Sequence, residues 1–367
     1  MKICFLADSY LPYLGGSQTF LRDLVFEMKK KHEIVMIADS QNRGKRFEEL
    51  DNLKIYRIFS FPMPRIQNYL VMSIVTYLKA REIDISDCDI INVQNLSPCF
   101  AGSLLGKQFH IPYVQTIEAI PSKFMESIAN FLHRKYLHAS NYDKLVVWTE
   151  ELKNIMKIWG LESTVIGGGI NTDEFSPKIK PEKDAKEKYK KPLIVTAKPL
   201  YENNARGIAY LAKAMKKVDG TLLIVGNGEY RRWLENKVRK DKLSDKVIFA
   251  GNIEREKIPK YYAAADIIAF SILFDVGVRP SVSLMEAMSM EKPVLLTKNF
   301  EHEDINNNNL CLAKITDPDD ISDKINILIE DKNKSLKIAR NGRKLIEKKY
   351  SIKTISRHLL DLYETLI

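Results

Sequence analysis

The sequence predicts two doubly wound α/β domains in series, on three observations. Continuous apolar, β-branched runs alternate with helical patterns from end to end, the mark of parallel strands covered on both faces. The alternation pauses at Gly167-Gly168-Gly169 and restarts after residue 190, and two sheets are more natural than one very large one. The length, 367 residues, fits about two domains of roughly 100–200 residues each.

The elements follow in order. Residues 2–7 form a short apolar run and read as the first strand. Over 17–31, Phe20, Leu21, Leu24, Val25 and Met28 recur at helical spacing. Further strands are expected at 34–38, 90–93, 113–116 and 144–148. After the glycines, a charged connector runs from Lys178 to Lys191. Strands are then expected at 193–196, 222–225, 247–250, 267–270 and 293–296, with helices over 206–217, 229–240 and 281–290. The three glycines read as a flexible joint. The last helix, 353–367, is amphipathic through Ile355, Leu359, Leu360, Leu362, Tyr363 and Ile367. The domains are therefore expected at 1–168 and 169–352, facing each other across a cleft lined by strand carboxyl ends, where ligands bind in such folds.

Composition narrows the function classes. Formal net charge is +10, of which +2 falls up to residue 168 and +8 after it. A basic second half suits an anionic partner or a lysine-rich solvated surface. The sequence lacks the aromatic-basic motifs of nucleic-acid modules, so no nucleic-acid partner is expected. Cys4, Cys88, Cys99 and Cys311 lie far apart with no C-x-x-C pair, which argues against zinc and disulfides and for a reducing compartment. Met1–Ala7 is too short for a signal peptide. No stretch approaches the roughly 20 apolar residues of a membrane span. A cytoplasmic protein is expected, at most peripheral on the inner membrane face.

The loops after strands carry the chemistry. Gly15-Gly16 opens the first helix, where paired glycines either make a tight turn or let amides approach an anion. It is neither a G-x-G-x-x-G fingerprint nor a P-loop. Gly226-Asn227-Gly228 and Gly251-Asn252 each follow a strand. Lys198 and Arg206 bracket one strand-to-helix loop and suit a diphosphate. Ser281 and Ser283 suit a helix cap or a phosphate. Glu286 interrupts an apolar helix; its i±4 neighbours Val282 and Met290 are apolar and its i±3 neighbours Ser283 and Ser289 polar, so its direction stays open. No Ser-His-Asp or Cys-His arrangement supports hydrolytic chemistry.

The order of these motifs resembles the family 4 glycosyltransferases of GT-B fold along essentially the whole chain. The likeness includes Gly15-Gly16, Asp89–Gln94, Ile111–Thr116, Val165–Phe175, Leu222–Glu229, Val247–Gly251, Tyr261–Asp266, Ser281–Val294 and Tyr350–Ile352 with the final helix. The resemblance implies a GT-B enzyme that binds a nucleotide-sugar in the C-terminal domain and the acceptor largely in the N-terminal one, with two Rossmann-like domains facing each other. The final helix would cross back onto the N-terminal domain. Glu286 would bond the donor ribose, as the second glutamate of the E-x7-E element. Ser281, Val282 and Ser283 would offer amides to the diphosphate, with Lys198 and Arg206 as its cations. Gly226, Asn227 and Gly228 would shape the nucleotide pocket, Asn252 would lie near the base, and Gly15-Gly16 would cover the phosphates. Transfer would be retaining, with no cofactor, no essential metal, and a glycan or lipid-linked acceptor of surface glycan or glycolipid synthesis.

Three departures mark a diverged member. Val278 stands where the first glutamate is expected, and Asp275 is the nearest acid. Thr116-Ile117-Glu118 replaces T-x-H, so Glu118 would accept hydroxyl hydrogen bonds or stabilise an oxocarbenium-like transition state. Gly167 and Gly168 replace Pro and Asn in the linker. A non-catalytic GT-B relative that binds a nucleotide or glycan is the alternative. Finally, residues 123–137 and 65–81 combine aromatic, aliphatic and basic side chains. Each either lies on an anionic bilayer or forms a half-buried helix.

Overall fold

The computed structural model describes residues 1–12, 15–39, 44–58, 65–119, 128–183, 187–273, 281–298 and 304–367, with the backbone alone at 65–69 and 128–130. The chain divides into two compact units: Met1–Gly169 with Ile352–Ile367, and Ile170–Ser351.

The first unit runs β1 (Lys2–Ala7), α1 (Gly16–Met28), β2 (Glu33–Asp39), β3 (Phe47–Leu50), β4 (Leu53–Ile58), α2 (Arg65–Glu82), β5 (Ile90–Gln94), α3 (Cys99–Phe109), β6 (Tyr113–Ile117), α4 (Ile128–Ala139), β7 (Lys144–Val147), α5 (Glu150–Ile158) and β8 (Thr164–Val165). Its eight strands order as β3-β4-β2-β1-β5-β6-β7-β8. All neighbours are parallel except the β3–β4 hairpin. That hairpin escapes a search for apolar runs because it is short and charged. Glu48 and Glu49 sit on the sheet edge, where charge discourages further pairing, and Asn52 turns the chain at φ 57°.

The second unit runs β9 (Leu193–Ala197), α6 (Glu202–Ala214), β10 (Thr221–Val225), α7 (Arg231–Lys240), β11 (Val247–Gly251), α8 (Ile258–Ala264), β12 (Ile267–Phe270), α9 (Val282–Ser289), β13 (Val294–Thr297), β14 (Cys311–Ala313), α10 (Pro318–Glu330) and α11 (Lys332–Leu345). Its six strands order as β11-β10-β9-β12-β13-β14 and all pair in parallel. In both units the strand order reverses beside the first strand, which sets a switch point at the strand carboxyl ends. Helix α6 begins a turn before the expected 206, because Glu202 suits a first turn and Tyr201 already has the extended backbone of a cap.

The last helix, α12 (Ile352–Glu364), returns to the first unit. It buries Ile355, Leu359 and Tyr363 in the core shared with Phe5, Phe20 and Leu24. The central glycine of the triplet is not there for backbone freedom, since none of the three has a positive φ. Gly168 is buried, and a Cβ on it would stand 2.9 Å from the Trp148 ring. Trp148 is fixed in turn against Phe20, edge to face at 4.7 Å. The expected joint is thus, at Gly168, a close-packed contact.

At the exit of β1, burial pushes the Asp8 carboxyl up to about 6, against the opposing hydrogen bond from Asn95. The Asn95 amide donates to Asp8 Oδ1 at 3.5 Å from a left-handed backbone at φ 63°.

Two outcomes are expected. Gly168→Ala forces the indole to move and should cost about 1–3 kcal/mol, read as a lower unfolding midpoint by tryptophan fluorescence; an unchanged midpoint would refute the contact. Asp8 binds its proton more tightly folded than unfolded, so the stability it contributes is full below about pH 4 and is lost as pH rises through about 6. Asp8→Asn removes this titration, and its gain over wild type should grow by about 1–2 kcal/mol between pH 4 and pH 7.5. Urea titrations at the two pH values measure it, and a gain independent of pH would count against the buried charge.

Candidate donor-binding site

Three strand exits of the second unit are stitched together. The Lys198 amide donates to Val225 O at 3.0 Å, the Leu200 amide to Asn227 O at 2.9 Å, and the Gly226 amide to Gly251 O at 2.8 Å. The approach is so close that glycine is obligatory at one point. Gly226 has φ 142°, and a Cβ there would stand 2.0 Å from the Lys198 carbonyl oxygen. A Cβ on Gly228 would stand 2.6 Å from the backbone of Leu200. These glycines form a backbone rim at the carboxyl ends of β9, β10 and β11, whose amides at Lys198, Leu200, Gly226 and Gly228 bond within the protein, leaving the N-terminus of α9 as the nearby group suited to an anion.

Glu286 lies on α9 and is 4% exposed, which settles the direction its neighbours left open. Its Oε1 accepts from Arg255 Nη2 at 2.7 Å. Arg255 comes from the short turn Arg255–Lys257 after β11. Its guanidinium lies over the Phe175 ring at 5.4 Å, and its Nε is buried with no protein partner. Tyr262 of α8 is fully buried and its hydroxyl also lacks a partner. Burial first, then the charge of Glu286, raises the Tyr262 hydroxyl well above its ordinary range.

Lys198 is half-buried, with its Nζ over the Phe270 ring at 5.4 Å. Burial lowers its pKa and the nearby Glu286 carboxylate opposes the drop. Glu286 therefore has two cationic neighbours, Lys198 and Arg255. Arg206 is placed otherwise: it is exposed, pairs with Glu202 one turn back at 2.9 Å, and lies over Trp233 at 5.4 Å. Ser281 caps α9, accepting the Leu284 amide at 3.4 Å. Val282 and Ser283 form its half-buried first turn, and Asn252 is exposed at the β11 exit. The Asn227 side chain folds onto the Gly228 amide at 3.0 Å. Asp275 and Val278 lie outside the described residues.

In the first unit, Gly15 caps α1 with no side-chain bond and Gly16 is its first residue. Glu118 follows β6 and is buried, at 7% exposure. Its amide donates to Asn95 Oδ1 at 3.4 Å, and Asn95 in turn holds Asp8. The exits of β1, β5 and β6 thus present Asp8, Asn95 and Glu118 together. Asp8 and Asn95 escaped the sequence reading, although each directly follows an apolar strand. Arg255 escaped it too, because its partner lies 31 residues away on another helix. Among the described residues, no three His, Cys, Asp or Glu side chains cluster as a metal site would require.

Known proteins share the fold. Residues 178–345 match the family described as Glycosyl transferases group 1, and residues 14–174 match Glycosyltransferase Family 4. The alpha-monoglucosyldiacylglycerol synthase of Streptococcus pneumoniae is 25% identical over 82% of this chain and 71% of its own length. A glycosyltransferase of Methanocaldococcus jannaschii is 23% identical over 99% of this chain and 98% of its own. Among solved structures, sucrose-phosphate synthase from Thermosynechococcus elongatus superposes with a TM-score of 0.76 at 19% identity, covering 100% of this chain and 98% of that one. Anabaena HepE in complex with UDP gives 0.74 at 18% identity, covering both chains fully. Family matches along nearly the whole length, on two α/β units with largely parallel sheets, place the chain among the group 1, family 4 glycosyltransferases of GT-B fold.

Proposed function

We propose that the chain transfers a sugar, with retention, from a nucleoside-diphosphate sugar to a lipid-linked acceptor at an anionic membrane surface, with no essential metal. One observation carries the donor half: a buried carboxylate, Glu286, set between Lys198 and Arg255 at the strand exits. A carboxylate there accepts hydroxyl hydrogen bonds from a ribose, and Lys198 with the first amides of α9 stabilises a departing diphosphate. Arg206 joins by exchanging its exposed Glu202 partner for phosphate. Asn252 and the Gly226–Gly228 rim border the nucleotide. Glu118 serves the reacting sugar, accepting a hydroxyl or steadying positive charge at the anomeric carbon. The bound UDP of HepE supports a nucleotide donor.

The acceptor half rests on α2, whose packing is inverted. Its inner face carries Met72, Ser73, Thr76 and Ala80, all buried, while Leu70, Ile74 and Leu78 face outward at 55, 49 and 57% exposure. Helix α2 packs along α3, which exposes Leu104, and Phe100 of α3 stacks on Tyr136 of α4 at 4.0 Å. Phe131 of α4 is 59% exposed. These three helices hold Arg65, Lys79, Arg81, Lys107, Arg134 and Lys135 against one acid, Glu82. Exposed apolar side chains on helices with an excess of cations suit an anionic bilayer. Residues 123–127 of the other basic segment lie outside the described residues. No described helix is long and apolar enough to cross a membrane; in this reading attachment is peripheral, on the cytoplasmic face. The name of the streptococcal relative, a glucosyldiacylglycerol synthase, supports a lipid acceptor.

Two measurements test the halves separately. In a thermal-shift panel of UDP, GDP and ADP, at least one nucleotide should stabilise the protein. Lys198→Ala should lower kcat/KM by about 10²–10³ with an unchanged fold; stabilisation by none of the three removes the donor reading. In vesicle flotation, the protein should bind bilayers containing anionic phospholipid and not neutral ones. Leu70→Glu/Ile74→Glu should weaken binding by at least tenfold at an unaltered melting temperature; equal flotation of the variant refutes the surface.

A further inference from the structure

We infer that Arg255 is a positioning residue of the donor site: it fixes the Glu286 carboxylate and so sets the preference of the pocket for a nucleotide with a ribose diol. The inference rests on the reading of Glu286 as the ribose acceptor. It draws on three features of the second unit. The Arg255–Glu286 bond is 2.7 Å long, and the side chains are only 17% and 5% exposed. The guanidinium is itself held, lying over Phe175, a ring that is 1% exposed and cannot give way. Unspent bonding capacity surrounds the pair: Arg255 Nε and the Tyr262 hydroxyl are buried without a protein partner.

Buried donors without partners are costly unless something completes them. A buried carboxylate held by an arginine is an acceptor only, because the cation keeps it ionised. Such a group selects ligands that bring O–H donors, and two adjacent hydroxyls suit a carboxylate better than one. Arg255 cannot accept the hydroxyl protons itself, since a guanidinium has donors only; the O–H donors must go to Glu286. It acts through Glu286, by fixing the plane of the carboxylate and its charge. Lys198 cannot replace it, because Lys198 approaches from the β9 exit and carries a point charge without the planar fork that fixes a carboxylate.

The test uses isothermal titration of the full chain with UDP, GDP and ADP, and with the 2′-deoxy form of each that binds. Wild type should favour the ribonucleotide by about tenfold or more. Arg255→Ala should lose this preference, its ribonucleotide affinity falling to that of the deoxy form while deoxy affinity stays within about twofold. Arg255→Lys should recover part of the preference, which also covers the case in which the alanine variant does not fold. Adding Arg255→Ala to Glu286→Gln should cost nothing further. An unchanged ribo-to-deoxy ratio in Arg255→Ala overturns the role of Arg255 alone, as does an equal loss of both affinities. Absence of nucleotide binding by wild type overturns the donor reading and this inference with it.

Discussion

The second unit is organised around a half-buried arginine that is not at its candidate site. Nη1 of Arg343 lies within hydrogen-bonding distance of the carbonyl oxygens of Thr172 at 3.2 Å, Phe175 at 2.9 Å and Ser289 at 2.6 Å. The Ser289 hydroxyl also donates to Phe175 O at 2.5 Å. A cation shared among carbonyls in a low-dielectric interior is stronger than a neutral hydrogen bond. The consequence is geometric. Segment 172–175 is clamped to the end of α9, which puts the Phe175 ring beneath Arg255. Arg255 then grips Glu286, one turn earlier on the same helix. Ion pair, ring and clamp close a loop, and α9 is held at two points.

That loop matters because a parallel sheet sends every strand's carboxyl end to one edge. Loops there must approach one another closely, and the backbone contacts of Gly226 and Gly228 show how closely. A side-chain wall would fill such an edge. A backbone rim leaves that edge open. The glycines, the cap at Ser281 and the buried acid of α9 are therefore answers to one packing problem. The acid has to be held, since an unpaired buried carboxylate would take up a proton.

Much of this was legible in the residues. The buried parallel strands announce themselves as continuous apolar runs, because covered strands need no polar face. The β3–β4 hairpin and β14 did not, being short or charged. The loops at Gly226, Ser281 and Glu286 were legible because turns and caps use few residue types. Arg255 was not, since a lone basic residue after a strand looks like any surface cation until its partner on another helix is known. Gly168 shows the opposite error. A glycine triplet suggests freedom, but the steric demand of Trp148, visible only in the packing, accounts for the central one.

Charge arithmetic misleads in a similar way. The excess of +8 after residue 168 invites attention to the second half. Much of it sits on exposed lysines, some already spent in surface pairs such as Lys190–Asp219 and Lys217–Asp319, which contribute little. Residues 1–168 net only +2, yet α2, α3 and α4 alone net +5, so the remainder nets −3. A surface potential follows the distribution of charge and not its total. Fields between exposed charges fade over about a Debye length, ~8 Å at physiological salt, so where the charges lie matters more than their sum. The apolar residues of α2 explain why that helix reads ambiguously. A helix with small buried residues inside and leucines outside has no single apolar face for periodicity to find, and the outward Leu70, Ile74 and Leu78 show only once burial is known.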